Sequence, residues 1–288
     1  MGRPAFRERL ARGGVRFDGA MTTMLRAAGW PADRPVELAN VEAPALVRGV
    51  HEAYRRAGAE VLTANSFGAH GLRLEVLQLA DRVEALCAAA IGLARDAAGE
   101  DGWVAASIGP PGEPIFALGD TSYRVAVAAY RRQLAACRAA GADLYVLETF
   151  TDLLEVQAAM TAAREADAEP LAVSMRLEPD RLAAGFVSPE ALAEVAAALG
   201  AELVGLNCMP PPQTAGLLER LAVRARVPVF AQPAAGAPAA EGGYPLGPEE
   251  FAEWAPALAR LAPAGLGGCC GTTPAHLRAL GRRLAERD

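Results

Sequence analysis

The 288-residue sequence contains no lysine; arginine supplies all 28 of its basic side chains. Schiff-base aldolases and pyridoxal-phosphate enzymes need a lysine amine to form their imine, so both classes are excluded. Basic blocks are also missing, and a formal net charge of −6 gives no electrostatic footprint for nucleic acid. No stretch of roughly 18 apolar residues is free of charge, so no membrane-spanning helix is expected. The opening Met1-Gly2-Arg3-Pro4-Ala5-Phe6-Arg7-Glu8-Arg9 lacks the apolar core of a secretion signal. Five cysteines in a chain of this length do not make a disulfide framework, and a reducing cytoplasm is the expected setting. Histidine is scarce as well. His51 and His276 fall in helical patterns and read as surface or packing residues, while His70 follows a strand and is placed at the rim of a site at most.

What the sequence does have is alternation. With 52% of residues in the hydrophobic set there is ample material for a core. Short apolar runs at 15–20, 61–67, 103–109, 144–150, 171–177, 203–208, 228–233 and 265–270 read as strands. Amphipathic stretches at 43–58, 72–98, 123–140, 152–166, 189–199, 213–225, 248–261 and 274–286 read as helices, the second of them long enough to be broken. Ser188-Pro189 and Thr273-Pro274 are helix starts, each a capping hydroxyl before a proline. Ala57-Gly58-Ala59-Glu60, Ala140-Gly141-Ala142-Asp143 and Gly200-Ala201-Glu202 each close a helix and open a strand. Eight such units predict an α/β fold, a single (β/α)8 TIM barrel over residues 1–288. A doubly wound sheet is the runner-up, but no Gly-x-Gly-x-x-Gly follows a strand. The Pro/Ala/Gly-rich stretch 233–248 reads as a long loop after the seventh strand.

In a barrel the chemistry sits at the C-terminal ends of the strands. Asp18, Asn65 with Ser66, Glu148, Asn207-Cys208 and Cys269-Cys270 all fall there. Adjacent cysteines on a regular strand point to opposite faces. Gly267, Gly268 and Gly271 relieve that restriction, so both sulfurs can reach one metal together with Cys208. Three thiolates with an open fourth position are the pattern of a catalytic zinc. Two other readings stay open: the pair is a set of inert buried thiols, or Gly267-Gly268 is a phosphate grip before the last helix. Cys87 and Cys137 lie inside helical patterns and read as core or helix-face residues, not as ligands. Asp18 and Glu148 suit the ammonium group of a ligand, or else serve as a helix cap or a structural ion pair.

These residues resemble the homocysteine S-methyltransferase family, the zinc-dependent barrels that include the homocysteine module of cobalamin-dependent methionine synthase. The resemblance rests on Asp18-Gly19-Ala20-Met21-Thr22-Thr23, on Thr63-Ala64-Asn65-Ser66-Phe67-Gly68-Ala69, and on Glu148-Thr149-Phe150. Gly205-x-Asn207-Cys208 and Gly267-Gly268-Cys269-Cys270-Gly271-Thr272 carry it most specifically. It implies that Cys208, Cys269 and Cys270 bind Zn2+, with no catalytic residue beyond the zinc site. It implies that Asp18, Gly19, Ala20 and Glu148 hold the amino-acid end of homocysteine, with Asn65 and Asn207 lining or bracing the site. The expected reaction moves a methyl group to the homocysteine thiol, activated as a zinc-bound thiolate, and forms methionine.

Departures from the family pattern bear on the methyl donor. Thr22 stands where glycine is usual. Thr149 stands where the betaine-using branch carries tyrosine, and a quaternary ammonium donor wants an aromatic cage, so betaine is disfavoured. Gly271 resembles the methionine-synthase and betaine branches, whereas the S-methylmethionine branch often has arginine. The expected donor is therefore methylcobalamin carried by a partner protein, with S-methylmethionine as the alternative. Further alternatives are a different thiol or selenol acceptor, a zinc-binding scaffold for a corrinoid protein, and a phosphate-binding isomerase or lyase using Asp18 and Glu148 as acid and base.

Overall fold

Eight parallel strands form one sheet in the order β1-β8-β7-β6-β5-β4-β3-β2. In the computed structural model, which describes residues 5–115, 122–178, 187–239 and 242–286, they are β1 Val15–Arg16, β2 Val61–Thr63, β3 Trp103–Ile108 and β4 Leu144–Phe150. They continue as β5 Leu171–Met175, β6 Leu203–Asn207, β7 Val229–Gln232 and β8 Gly265–Leu266. A parallel bridge between Phe17 and Val61 joins β1 to β2 and closes the barrel. The expected (β/α)8 barrel is thus found, although its strands are shorter than the apolar runs that announced them. Residues 1–4 of the opening segment and 240–241 of the loop after β7 lie outside the described residues.

The interior is filled from alternating strand positions. Phe17 and Phe230 meet with ring centroids 5.5 Å apart, among Val61, Ala105, Val146, Ala172 and Leu203. Gly205 in β6 makes room for this layer, since a Cβ there would lie 2.3 Å from the Phe230 carbonyl oxygen. The short helix Phe6–Leu10 plugs the N-terminal end, with Phe6 edge-on to Trp103 at 6.1 Å. The open end of the barrel is therefore the C-terminal one.

Helices Pro44–Arg56, Val83–Ala98, Tyr123–Ala139, Leu153–Glu165, Pro189–Ala198, Pro211–Arg224, Ala255–Leu261 and Pro274–Ala285 clothe the sheet. The 72–98 stretch breaks as expected, into Gly71–Val76, a 3-10 turn Ala80–Arg82 and Val83–Ala98, with Gln78 at φ 57° in the break. Ser188 Oγ accepts from Ala191 N at 3.1 Å. Thr273 and His276 form a reciprocal capping box. Because His276 Nδ1 accepts from Thr273 N at 3.2 Å, Nε2 carries the proton and donates to the Leu246 carbonyl at 2.9 Å. Cys87 and Cys137 are fully buried, between neighbouring helices. His70 is buried too; it caps the helix Gly71–Val76 and does not line a site rim. Among the described residues, no helix is long and apolar enough to cross a membrane.

His51 is fully buried, and neither ring nitrogen meets a hydrogen-bond partner among the described residues. Burial lowers its pKa from 6.5 to about 4. Between those values the unfolded chain binds a proton that the folded chain refuses, so His51 erodes stability as pH falls through 6.5 and levels off below about 4. His51→Leu removes this penalty. Its stability advantage over the wild type, read from urea unfolding, is expected to widen by about 2 kcal/mol between about pH 7 and pH 5. A constant difference would show that His51 takes up its proton in the fold as readily as in the unfolded chain.

Candidate metal centre and substrate cavity

Two broken strand ends bring three sulfurs together. β6 stops at Asn207, and Cys208 turns into the left-handed region at φ 60°, its N–H donating to the Gln232 carbonyl at 3.1 Å. β8 stops at Leu266, well before the cysteine pair, so the strand alternation that would separate the two side chains no longer applies. Cys269 N donates to Pro233 O at 2.8 Å, and Thr272 N returns to Cys269 O at 3.0 Å, closing a turn through Gly271 at φ 78°. The outcome is Cys208 Sγ at 3.5 Å from Cys270 Sγ, Cys269 Sγ at 4.0 Å from Cys270 Sγ, and all three sulfurs within 4.8 Å of one another.

This spacing fits a tetrahedral ion: zinc–sulfur bonds of about 2.3 Å place neighbouring sulfurs about 3.8 Å apart. The protonation pattern fits as well. Cys270 accepts from the Cys208 and Cys269 thiols and is drawn down to about 3. Cys269, donating to both neighbours, is held well above the ordinary thiol value. Cys208 is pulled down by Cys269 but pushed further up by donating to Cys270 and by burial, to about 12. The three thiols thus compete for protons at close quarters, and a divalent cation is what would displace those protons.

The sulfurs open onto a cavity of about 220 Å³ at the C-terminal mouth. Asp18, Gly19, Ala20, Asn65 and Glu148 line it, as expected from the sequence. Among the described residues, Asp18 is neither a helix cap nor an ion-pair partner; its carboxylate accepts from Thr63 N and Thr63 Oγ1, both at 2.7 Å. Burial raises it to about 7 against the pull of those bonds, and the Glu148 charge adds to the rise. Burial likewise raises Glu148 to about 7, opposed by a short hydrogen bond from Ser107 Oγ and assisted by the Cys270 charge. Gly19 has no space for a side chain, because a Cβ would lie 2.6 Å from Thr272 Oγ1 and 2.8 Å from the Tyr54 hydroxyl. Asn65 spends its amide nitrogen on Val36 O at 2.7 Å and Asn40 Oδ1 at 2.9 Å.

Glu148 and Thr149 both line the cavity although they are consecutive in β4. The register slips between Leu147 and Phe150, and Thr149 sits at φ 65°, a costly conformation for a β-branched residue. Asn207 holds it there. Its Oδ1 accepts from Thr149 N at 3.0 Å and Ser174 Oγ at 3.1 Å; its Nδ2 donates to Thr149 Oγ1 at 2.7 Å and points to Glu148 Oε2 at 3.5 Å. The same nitrogen lies 3.9 Å from Cys269 Sγ. Fully buried, Asn207 braces the site from beneath. Thr63, Phe67, Ser107, Thr149 and Gln232 also line the cavity, and the sequence reading did not single them out for it. Ser107 left a signal, a hydroxyl inside the apolar run of β3. Ser66 is buried and donates to Ser107 O at 2.9 Å, bracing the wall.

A family described as homocysteine S-methyltransferase matches residues 15–284. The chain belongs to this family. Among its curated relatives, methionine synthase of Mycobacterium tuberculosis (strain ATCC 25618 / H37Rv) is 34% identical over 93% of the chain and 24% of that protein. The chain therefore spans about a quarter of that relative's length. S-methylmethionine–homocysteine S-methyltransferase BHMT2 of Rattus norvegicus is 29% identical over 95% of the chain and 77% of that protein. The crystal structure of the homocysteine methyltransferase MmuM from Escherichia coli, in its metallated form, matches with a TM-score of 0.80 at 24% identity, covering 97% of this chain and all of that one. That likeness bears on the fold of this homocysteine S-methyltransferase family member.

Asn207→Ala leaves the Thr149 N–H without its acceptor and Thr149 without its clamp. Urea unfolding is expected to register a loss of about 1–3 kcal/mol. Unchanged stability would mean that the strained turn at Thr149 is held by something other than Asn207.

Proposed function

We propose that this family member transfers a methyl group to the thiol of homocysteine and forms methionine. The observation that carries the reading is the sulfur trio opening onto a cavity that also holds two buried carboxylates. Cys208, Cys269 and Cys270 would hold Zn2+, which supplies an open position where a substrate thiol loses its proton at neutral pH. Asp18 and Glu148 would receive the substrate ammonium. Burial raises each to about 7, which lowers the cost of holding two unpaired carboxyl groups side by side. The arriving ammonium favours their charged forms and gains charge-assisted hydrogen bonds. Asn207, beneath Glu148 and Cys269, keeps the carboxylate and the sulfur in one frame.

The donor we favour is methylcobalamin presented by a separate corrinoid protein. Among the described residues, Phe67 is the one aromatic side chain lining the cavity, which is no cage for a quaternary ammonium group. S-methylmethionine is the second reading, supported by the similarity to a relative named for that donor. Zinc-loaded protein given homocysteine with both donors, each carrying a different isotopic methyl, is expected to yield methionine bearing the cobalamin label. The S-methylmethionine label would make it a self-sufficient salvage enzyme, and methionine with neither label would sink the reading.

Cys269→Ala is expected to lose zinc and methyl transfer together, measured by metal analysis and turnover; retained zinc with full turnover contradicts the assignment. Asp18→Asn keeps the shape but removes one charge from the ammonium site. A rise in homocysteine KM of about 10–100-fold is expected, with a smaller effect on kcat.

A further inference from the structure

The strand residues that face the barrel axis change character toward the mouth. Val61, Ala105, Val146, Ala172 and Phe230 belong to the apolar interior layer. Two residues further along the same strands, and so on the same face, stand Thr63, Ser107, Glu148, Ser174 and Gln232, with Asn207 joining them from β6. These are all polar, and most are paired: Thr63 with Asp18, Ser107 with Glu148, and Ser174 with Asn207. Gln232 is the exception. Its carbonyl accepts from Cys208 N at 3.1 Å, but its side-chain amide meets no hydrogen-bond partner among the described residues. The residue is only 5% exposed, and it lines the substrate cavity. Burying an amide without partners is costly, so a buried one that faces a cavity is set to be completed by a ligand.

The charges around the cavity indicate which ligand group that is. Asp18 and Glu148 line it, while among the described residues no arginine or histidine does. Homocysteine brings three polar groups. In the proposed function its thiol goes to the metal and its ammonium to the carboxylates, which leaves its own carboxylate without a partner. The other buried side-chain donors of the wall are occupied: Ser107 Oγ by Glu148, and the Asn65 amide nitrogen by Val36 O and Asn40 Oδ1. We infer that Gln232 is a specificity-determining contact for the α-carboxylate of the substrate, its Nε2 donating to a carboxylate oxygen. The inference rests on the homocysteine reading of the site. A neutral donor suits the place, because an arginine there would pair with Asp18 and Glu148 and displace the ammonium they are to receive.

Gln232→Met keeps the length of the side chain and removes both of its hydrogen-bonding groups. The zinc-loaded proteins are titrated by calorimetry with homocysteine and with its decarboxylated analogue, an aminopropanethiol. In the wild type, loss of the carboxylate is expected to weaken binding by about 10–100-fold. The variant is expected to bind homocysteine more weakly by that same factor, and to bind the analogue as the wild type does. Thermal unfolding of the ligand-free variant should come at or above the wild-type temperature, since an unpartnered buried amide has been removed. Gln232→Glu repeats the test with the shape kept: it should weaken homocysteine further and tighten the analogue. Wild-type affinity for homocysteine in both variants overturns the inference. An equal loss for both ligands also overturns it, and would place Gln232 in the frame of the metal centre. A wild-type protein that binds neither ligand overturns the homocysteine reading and this inference with it.

Discussion

Everything at the mouth of this barrel depends on the backbone leaving strand geometry at three places and being held there. A regular strand offers the mouth one side chain in two. The site needs consecutive ones, Glu148 with Thr149 and Cys269 with Cys270. β4 supplies the first pair through a register slip and a left-handed threonine, and β8 supplies the second by ending early. Left-handed Cys208 completes the set from β6. Strain of this kind persists only where the surroundings over-determine it. Here they do so through buried polar groups: Asn207 on Thr149, Thr272 on Cys269, and Gln232 O on Cys208.

The electrostatics follow from the same crowding. Two carboxylates and three thiols share a small, mostly buried volume, and full ionisation of all five would be prohibitive. Burial answers by pushing Asp18 and Glu148 above their ordinary values, and hydrogen bonds among the thiols, with burial, do the same to Cys208 and Cys269, while hydrogen bonds from its two cysteine neighbours draw Cys270 down. Such a site is tuned for cations. In the proposed reading, a divalent ion among the sulfurs and an ammonium between the carboxylates would each take the place of protons.

Much of this was legible in the sequence, and the reasons differ by level. The barrel was readable because apolar runs, helix patterns and Gly-containing αβ loops repeat eight times. The sulfur trio and the carboxylates were readable because barrel topology places strand ends on one face, and because glycines beside Cys269-Cys270 announce a turn. Thr149 was noted for being no tyrosine, and nothing local predicts that it adopts φ 65°. Asn207 was noted beside its cysteine, but its clamp on residues 58 and 59 positions earlier is a tertiary fact. Tyr244 lay in a loop whose composition suggested only length. It packs on Gly271, where a Cβ would lie 2.2 Å from Tyr244 Cγ, and that contact depends on how Ala235, Leu246 and His276 tie the loop down.

The seam of the barrel shows why two of the strands that feed the site are short. β1 and β8 have two residues each, and β1 meets β2 through a bridge, not a ladder. Longer ladders there would stabilise the sheet but would keep residues 18–20 and 267–271 extended, with alternate side chains turned away. Side-chain bonds stand in for the missing rungs. Asp18 grips Thr63 across the seam, Gly268 N reaches Asp18 O at 2.8 Å, and Ala20 N reaches Thr272 Oγ1 at 3.2 Å. Tyr54 spans Ala20 O and Thr272 O from the first large helix, at 2.9 Å to each. Asp18 therefore has a duty to the fold and, in the proposed function, a second one to the ligand. The two are compatible because Thr63 approaches it from the β2 side while the carboxylate still lines the cavity.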